Sequence, residues 1–268
     1  MYLSDLVIIL CRPSESGNVG AVCRAMMNMG LSRLRLVAPF PLEDEVVRAR
    51  AVHAEQVWEE AETFDTLSAA AADLSLVIGT TRRRGRHRKS VTLTPEECAA
   101  FFRGHPGQAA LVFGNERTGL EAEELNFCSL ASHIPANEAF PSLNLSHAVQ
   151  LYAYQFFRLL APAPGTAPAE FGSGLVDAAP RTFPSQTVKG TWVPLDRTSA
   201  DTLAKSMTNT LASLGFYKQP GREDQERLFR DLIARAGLSE REGRYLGEIF
   251  SKALMLAGKK GNPSSDSS

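Results

Sequence analysis

Residues 111–120 read Leu-Val-Phe-Gly-Asn-Glu-Arg-Thr-Gly-Leu, an apolar run that passes directly into a polar loop. This pattern predicts a buried strand with polar groups at its C-terminal end, where open α/β sheets bind their ligands. A second apolar segment, Leu130 to Ile134, ends in the same way at Pro135. Three polar residues then precede an amphipathic helix: Ser142, Asn144 and Ser146. We therefore predict one pocket formed by two strand ends and a helix start.

Apolar runs of strand length alternate with helical patterns over the first 160 residues. The runs are Leu6 to Cys11, Leu34 to Val37 and Leu76 to Gly79. Continuous apolar runs are typical of parallel strands covered on both faces, and the alternation predicts a doubly wound parallel α/β sheet. Between the first two runs, we expect the glycines of residues 17–20 to form a turn that a helix follows. Glu43 to Ala61 has the composition of one solvated helix.

Two further helices are indicated by local signals. Thr94 and Pro95, with Glu97 three residues after the threonine, form the capping sequence of a helix start. From Leu145 to Leu160, apolar residues recur at the spacing of one helix face. We expect this second helix to close a first domain at residues 1–160.

The remainder of the chain has a different composition. Residues 161–196 are rich in proline and glycine without a sustained period, which predicts an extended linker. Three helical patterns follow and predict a small all-α module at residues 197–257, with Gly237 ending the second helix and a Ser239–Glu242 capping box starting the third. The polar tail at residues 258–268 is predicted to be disordered.

The composition limits the possible classes of protein. Hydrophobic residues make up 44% of the 268 residues, enough for a substantial core, and the net charge of -1 excludes a uniformly basic nucleic-acid coat. The four cysteines form no Cys-x-x-Cys pair and no metal-ligand spacing with histidine, so we expect buried thiols and no metal site. Without a secretory signal or an apolar run of roughly 20 residues, we expect a cytoplasmic protein that is not in a membrane.

Three common nucleotide and hydrolase motifs are incomplete. Residues 17–20 resemble a dinucleotide-binding loop, but the third glycine is missing and Ala38 stands where an acid would bind the ribose. Gly114 and Gly119 have P-loop spacing, yet Leu120 and Glu121 replace the required lysine and hydroxyl residue. There is no Gly-x-Ser-x-Gly elbow. A nicotinamide-dependent oxidoreductase therefore remains only a distant alternative.

Three segments together resemble the signature motifs of the SPOUT-class RNA ribose 2′-O-methyltransferases. They are residues 17–26, residues 111–120, and Ile134-Pro135 leading to residues 142–146, in the order of that family. The resemblance covers about residues 3–160 and implies a parallel sheet with a C-terminal trefoil knot, a homodimer, and S-adenosylmethionine bound in the knot. The linker and helical module resemble the bacterial branch that modifies the tRNA anticodon loop. No spacing or composition indicates a knot.

The resemblance also implies roles for individual side chains. Arg24 matches the family's catalytic arginine, and because a guanidinium does not deprotonate in proteins we expect it to act by its charge. A surface arginine on an amphipathic helix is the alternative. Asn18 and Asn144 would bind substrate or hold Arg24, and Glu116 would position Arg24 or the ribose. Ser142 would contact the substrate or the partner's site.

The predicted cofactor site combines strand ends with loops. Its residues are Thr80, Thr81, Leu111, Phe113, Gly114, Asn115, Gly119, Ile134, Pro135, Leu143 and Ser146. Six basic residues that follow the predicted strand Leu76 to Gly79, beside the predicted pocket, indicate contact with RNA phosphates: Arg82, Arg83, Arg84, Arg86, Arg88 and Lys89.

We therefore predict transfer of a methyl group from S-adenosylmethionine to a ribose 2′-hydroxyl of tRNA, at a cytidine or uridine of the anticodon loop. The alternatives are the same chemistry on ribosomal RNA and a catalytically silent RNA-binding module of the same fold.

Overall fold

The computed structural model of the chain describes residues 2–82, 92–160, 193–217 and 221–260. The strands in these residues are β1 (Leu6–Cys11), β2 (Leu34–Val37), β3 (Glu62–Phe64), β4 (Leu76–Thr80), β5 (Thr92–Leu93), β6 (Ala109–Phe113) and β7 (Leu130–Ser132). They form one sheet in the order β3-β2-β1-β6-β4-β7-β5, and every neighbouring pair is parallel. The predicted parallel α/β sheet is confirmed.

Helices cover both faces of this sheet. In the first part of the chain they are α1 (Ser16–Asn28), α2 (Asp44–Ala51), α3 (Glu55–Glu59), α4 (Leu67–Ala70), α5 (Pro95–Gly104), α6 (Ala122–Phe127) and α7 (Leu145–Leu160). Side chains of β1 alternate between two buried clusters, with Ile8 and Leu10 in one and Val7 and Ile9 in the other. This period of two explains the continuous apolar sequence of a strand that is covered on both sides.

Helix α1 begins earlier than the sequence predicts. Residues 17–20, expected to form a turn before the helix, lie in the first turns of α1 itself. Gly20 is needed for close packing, since a Cβ atom there would lie 2.2 Å from the carbonyl oxygen of Val47 on α2. Glycine in this motif therefore permits two helices to approach each other and does not supply a turn.

The predicted single helix from Glu43 to Ala61 is wrong, because α2 and α3 are separate. The chain reverses at Val52 and His53, whose φ angles are 43° and 66°. The indole of Trp58 on α3 donates a hydrogen bond of 2.8 Å to Asp44 at the start of α2. In a straight helix these residues would be about 21 Å apart. This tertiary contact requires the break.

The C-terminal helices are α8 (Arg197–Ser213), α9 (Arg222–Ala236) and α10 (Glu240–Lys260). They share a small apolar cluster that includes Ala204, Met207 and Ile233. The predicted helix signals at Gly237 and at the Ser239–Glu242 capping box are confirmed. Helix α10 continues to Lys260, beyond the predicted start of the tail at residue 258. The predicted linker, up to residue 192, and residues 261–268 lie outside the described residues.

These helices contact the amino edge of the sheet, where the loops that lead into the strands lie. Thr198 donates its backbone N–H and its hydroxyl to the carbonyl of Ala72, shortly before β4. Arg197 donates to Ser129, which immediately precedes β7. The C-terminal helices are therefore attached at the edge opposite the carboxyl ends of the strands. None of the described helices is long and apolar enough to cross a membrane.

Candidate functional site

A pocket lies at the carboxyl edge of the sheet, above the ends of the adjacent strands β6, β4 and β7. Its wall consists of residues 80–82 at the end of β4, residues 113–120 at the end of β6 and residues 133–134 after β7. The approach to α7 and one face of that helix complete it: Pro141, Ser142, Leu143, Leu145, Ala148 and Tyr152. Two strand ends and a helix start were predicted to meet in one pocket. The structure brings them together with the end of β4, where Thr80 and Thr81 were also predicted to line the site.

The loop after β6 is folded tightly back on its own strand. A Cβ atom at Gly114 would lie 2.0 Å from the backbone carbon of Gly119, so only glycine fits there. Gly119 has a φ of 72°, and its N–H donates to the Asn115 carbonyl at 2.8 Å. Inside the loop, the Asn115 side-chain oxygen accepts from the backbone N–H of Arg117 and of Thr118. The loop therefore presents main chain to the pocket in a fixed conformation.

Glu116 connects this loop to the start of α1. Its carboxylate accepts hydrogen bonds from the backbone N–H and hydroxyl of Ser14, from the N–H of Glu15, and from the amide of Asn18. Backbone N–H groups at a helix start lack partners within the helix and carry partial positive charge. The carboxylate of Glu116 satisfies two N–H groups next to that helix start and fixes the loop against it.

Asn18 and Asn144 extend the same network to the third segment. The Asn144 amide donates to the side-chain oxygen of Asn18 at 2.9 Å. The Asn144 side-chain oxygen accepts from the N–H and the hydroxyl of Ser146, so Asn144 caps the start of α7. Glu116, Asn18 and Asn144 thus join all three of the sequence segments that carry the family resemblance.

The floor of the pocket is aromatic and buried. The rings of Phe113 and Tyr152 meet edge to face, with centroids 5.6 Å apart. The Tyr152 hydroxyl donates to Ser132, whose own hydroxyl donates to the carbonyl of Leu93. Burial raises the pKa of Tyr152, so the phenol stays neutral. The side chains of Phe113 and Tyr152 are both almost fully buried, so they support the pocket from the core beneath it.

The predicted site residues divide into three groups. Those that line the pocket are Thr80, Thr81, Arg82, Phe113, Gly114, Asn115, Glu116, Gly119, Ile134, Ser142 and Leu143. Those that do not line it are Asn18, Arg24, Leu111, Pro135, Asn144 and Ser146; of these, Leu111 is fully buried within β6. The remaining basic residues lie outside the described residues: Arg83, Arg84, Arg86, Arg88 and Lys89.

Arg24 stands apart from the network that was expected to hold it. Its side chain is exposed on α1 and, within the described part of the chain, makes no hydrogen bond or ion pair. Asn18, Asn144 and Glu116 bond to one another and to main chain. Among the described residues none of the three contacts Arg24, and both of the roles expected for them, holding Arg24 and contacting substrate, stay predictions.

Several residues of the site were not identified from the sequence. Tyr152 lies on the apolar stripe of α7 and has the pattern of an ordinary core residue. His133 lines the pocket just after β7, and only its position before Ile134 could have indicated it. Arg12 contacts the loop after β6 across more than 100 residues of sequence. Contacts of that separation leave no local signal.

None of the four cysteines lines the pocket. All four are free and buried, as expected. Burial raises the pKa of Cys23 and of Cys98 to about 12, so both remain thiols. Among the described residues, no group of three or more His, Cys, Asp and Glu side chains could hold a metal ion.

Comparison with known proteins gives a consistent set of matches. Residues 5–154 match the model of the SpoU rRNA Methylase family. The chain is 39% identical over 152 residues to tRNA (cytidine-2'-O-)-methyltransferase TrmJ of Methanocaldococcus jannaschii, over 56% of this chain and 66% of the relative. It is 43% identical over 158 residues to tRNA (cytidine/uridine/adenosine-2'-O-)-methyltransferase TrmJ of Pseudomonas aeruginosa, over 57% of this chain and 60% of the relative. The chain thus spans less than two thirds of the length of these relatives.

A solved structure extends the likeness beyond the sheet. The crystal structure of TrmJ from Z. mobilis matches with a TM-score of 0.67 and 28% identity, over 92% of this chain and 98% of that chain. Because this coverage exceeds the family match at residues 5–154, the likeness includes C-terminal residues.

Proposed function

Because the chain belongs to the SpoU rRNA methylase family, we propose that it transfers a methyl group from S-adenosylmethionine to a ribose 2′-hydroxyl of tRNA. The target is a cytidine or uridine of the anticodon loop. The names of the relatives from M. jannaschii and P. aeruginosa support tRNA and cytidine. Ribosomal RNA is the alternative substrate.

One observation carries the proposal. Hydrogen bonds from Asn144 to Asn18 and from Asn18 to Glu116 tie three distant sequence segments together beside a single pocket. A merely structural cap would account for each of these residues alone. Their convergence at the carboxyl edge of a parallel sheet, where such folds bind ligands, supports a binding site with polar groups at its rim.

The lining of the pocket supports a site for the nucleoside part of S-adenosylmethionine. Main chain around Gly114, Ile134 and Leu143 would hold the adenosine, with the rings of Phe113 and Tyr152 beneath it. When bound, the cofactor supplies an electrophilic methyl group. The polar rim at Ser142 and Glu116 would orient the ribose, and alignment alone contributes a large part of the rate in such a transfer.

Arg24 supplies the charge. A ribose hydroxyl that attacks a methyl group develops negative charge on its oxygen, and a guanidinium stabilises that charge without changing its own protonation. Arg24 is exposed and does not line the pocket of its own chain. It would therefore reach the ribose by contacting bound RNA or from a second copy of the chain.

A homodimer is part of the proposal. Helix α7 exposes Leu151, Tyr154 and Phe157, each 39–44% accessible, on one side of a helix whose other face is buried. Apolar residues grouped in this way are typical of protein interfaces. The trefoil knot also belongs to the proposal. The family resemblance implies the knot, and the packing of α7 against α1 and α5 is compatible with it.

The division of labour along the chain completes the proposal. Residues 1–160 form the methyltransferase domain, residues 161–196 a linker and residues 197–257 a helical module. Arg82, the described member of the basic run, lines the pocket and would contact RNA phosphates together with residues 83–89.

Replacing Arg24 by alanine tests the proposed role. We expect transfer of labelled methyl groups to tRNA to fall about 100-fold or more, because a group that stabilises developing charge contributes that much to kcat. Affinity for S-adenosylmethionine, measured by calorimetry, should stay unchanged, since Arg24 does not line the pocket. Arg103→Ala, which removes another exposed arginine from α5, is the matched control and should retain full activity.

Ribosomal RNA serves as a parallel substrate in the same assay, and its preferential labelling would identify it as the target. Mixing Arg24→Ala with Glu116→Ala subunits tests whether two copies of the chain share one active site. If they do, one site of the mixed dimer contains neither substitution, and activity returns. A wild-type protein that binds tRNA but takes up no S-adenosylmethionine would contradict the proposal and favour a silent RNA-binding module.

A further inference from the structure

Arg12 stands where β1 ends and holds an uncommon backbone conformation. Its φ is 53°, in the left-handed region that residues other than glycine, asparagine and aspartate rarely adopt. Its backbone N–H donates to the Val37 carbonyl at 2.7 Å, and its own carbonyl accepts from the Asn115 amide at 2.7 Å. The main chain at this position therefore turns away from the sheet, and the side chain reaches the loop after β6.

The guanidinium of Arg12 binds the C-terminal end of that loop and the start of α6. Its Nε and Nη2 donate to the two carboxylate oxygens of Glu124 at 3.0 and 2.7 Å, a bidentate pair. Its Nη1 lies 3.0 Å from the carboxylate of Glu121. Its Nη2 also donates to the carbonyl of Gly119 at 3.1 Å. One side chain thus joins the end of β1 to the last residues of the loop and to α6.

We propose that Arg12 is a positioning residue for the cofactor, which holds residues 114–120 in the conformation that binds S-adenosylmethionine. The inference rests on the proposed function. Asn115 fixes the loop from inside through the N–H groups of Arg117 and Thr118. Arg12 fixes it from outside through Gly119, whose backbone lies against Gly114.

The pairing of Arg12 leaves it unsuited to bind RNA itself. Two carboxylates neutralise its charge, and each of its three guanidinium nitrogens faces a carboxylate oxygen. The bond to Glu124 raises the pKa of Arg12, so its charge is fixed at every working pH. Arg12 therefore acts on the reaction through the loop, and not as a contact to the substrate.

Of the two carboxylate partners of Arg12, we expect Glu124 to contribute more to its position than Glu121. The side chain of Glu124 is 15% exposed, whereas that of Glu121 is 60% exposed. Charge-assisted hydrogen bonds weaken with exposure, and bidentate pairs combine strength with a fixed direction. A lysine at position 12 would keep the charge but lose this geometry.

The decisive variant is Arg12→Asn. Asparagine accepts the left-handed conformation and keeps the backbone bonds to Val37 and Asn115, so only the guanidinium is lost. By calorimetry we expect S-adenosylmethionine to bind about tenfold more weakly, the effect of losing a charge-assisted bond to the loop. With saturating cofactor, kcat and the KM for tRNA should remain within about twofold of wild type.

Three further variants sharpen the test. Glu124→Gln, which can still cap α6, should weaken cofactor binding in the same direction, and Arg12→Lys should recover part of the loss. Arg48→Asn is the matched control, because Arg48 lies on α2, away from the pocket, and pairs with Asp44 and Glu59. Its cofactor affinity should equal that of wild type.

Unchanged cofactor affinity in both Arg12→Asn and Glu124→Gln would overturn the inference, as would an equal loss in kcat at saturating cofactor. If the wild-type protein itself binds no S-adenosylmethionine, the proposed function fails instead. The two failures are therefore distinguishable.

Discussion

One arginine lies at each end of the strands of the sheet, and the two have different environments. Arg12 at the carboxyl edge keeps 21% of its side chain exposed and is paired with two carboxylates. Arg197 at the amino edge is 2% exposed. It stacks over the ring of Phe127 at 4.3 Å and donates to Ser129 and to the Phe127 carbonyl, with Asp201 as its nearest carboxylate at 3.3 Å.

The two environments move the pKa in opposite directions. The bond to Glu124 raises the pKa of Arg12, whereas burial lowers the pKa of Arg197. Burying an arginine with few carboxylate partners costs desolvation free energy. We infer that Arg197 is retained because its contacts fix one position of the C-terminal helices against the sheet. The amino ends of the strands thus attach the C-terminal helices, whereas the carboxyl ends carry the partly exposed charges of Arg12 and its carboxylate partners beside the pocket.

Removing Arg197 should have the largest effect on stability. Arg197→Ala removes the buried donor to Ser129 and to the Phe127 carbonyl together with the ion pair to Asp201, and we expect the free energy of unfolding to fall by about 4 kcal/mol. Urea denaturation gives this value, and limited proteolysis reports whether α8 becomes accessible. Arg227→Ala, which removes an exposed partner of Asp224, is the control and should change stability by less than about 0.5 kcal/mol. Equal effects of the two variants would contradict a special role for the amino edge.

A methyl group at Gly114 should affect the carboxyl edge alone. Gly114→Ala places a Cβ atom 2.0 Å from the backbone of Gly119, so the loop must move. Overpacking of this kind costs about 3 kcal/mol at the upper end of its range, which corresponds to roughly 100-fold weaker binding of S-adenosylmethionine in calorimetry.

Gly221→Ala is the matched substitution, because a Cβ atom there meets no other atom within 4 Å. Cofactor affinity in that variant should equal that of wild type. If Gly114→Ala binds the cofactor normally, the conformation of the loop is not what determines binding.

The amino edge should also govern how stability responds to acid. His105 is buried beside Ser75, with its Nε2 3.0 Å from the serine hydroxyl, and burial lowers its pKa from 6.5 to about 4. Between these values the unfolded chain binds the proton more readily than the folded chain. Stability is therefore complete above pH 6.5 and falls as the pH drops, by about 2 kcal/mol at pH 5.

Urea denaturation at pH 7 and pH 5 measures this loss, with His105→Gln as the control that has no titrating ring. The difference in stability between the two pH values should shrink by about 2 kcal/mol in the variant. An unchanged difference would assign the acid sensitivity to other groups.

Local patterns were sufficient to predict most of the fold. The runs at β1, β2, β4 and β6 are continuous and apolar, and the capping signal at Thr94 marks the start of α5 correctly. The strands that were not predicted, β3 and β5, are the two outermost strands of the sheet. They have three and two residues. Strands so short carry no detectable alternation, and only pairing with a neighbour defines them.

The candidate site was predictable in part for a similar reason. Glu116, Ser142 and the loop of residues 113–119 stand out because polar residues follow an apolar run within a few positions. Arg12 and Tyr152 do not, because one follows a strand as an ordinary charged residue and the other has the spacing of a core residue. Their roles depend on partners 20 or more residues away.

The sequence alone determined the parallel α/β class, the three segments that resemble one family and the polar groups at the strand ends, since each depends on neighbours along the chain. The tertiary structure decided the order β3-β2-β1-β6-β4-β7-β5, the network from Glu116 to Asn144, and the attachment of the C-terminal helices to the edge opposite the pocket. These features depend on contacts between residues far apart in sequence, and no local pattern of residues specifies which distant partners will meet.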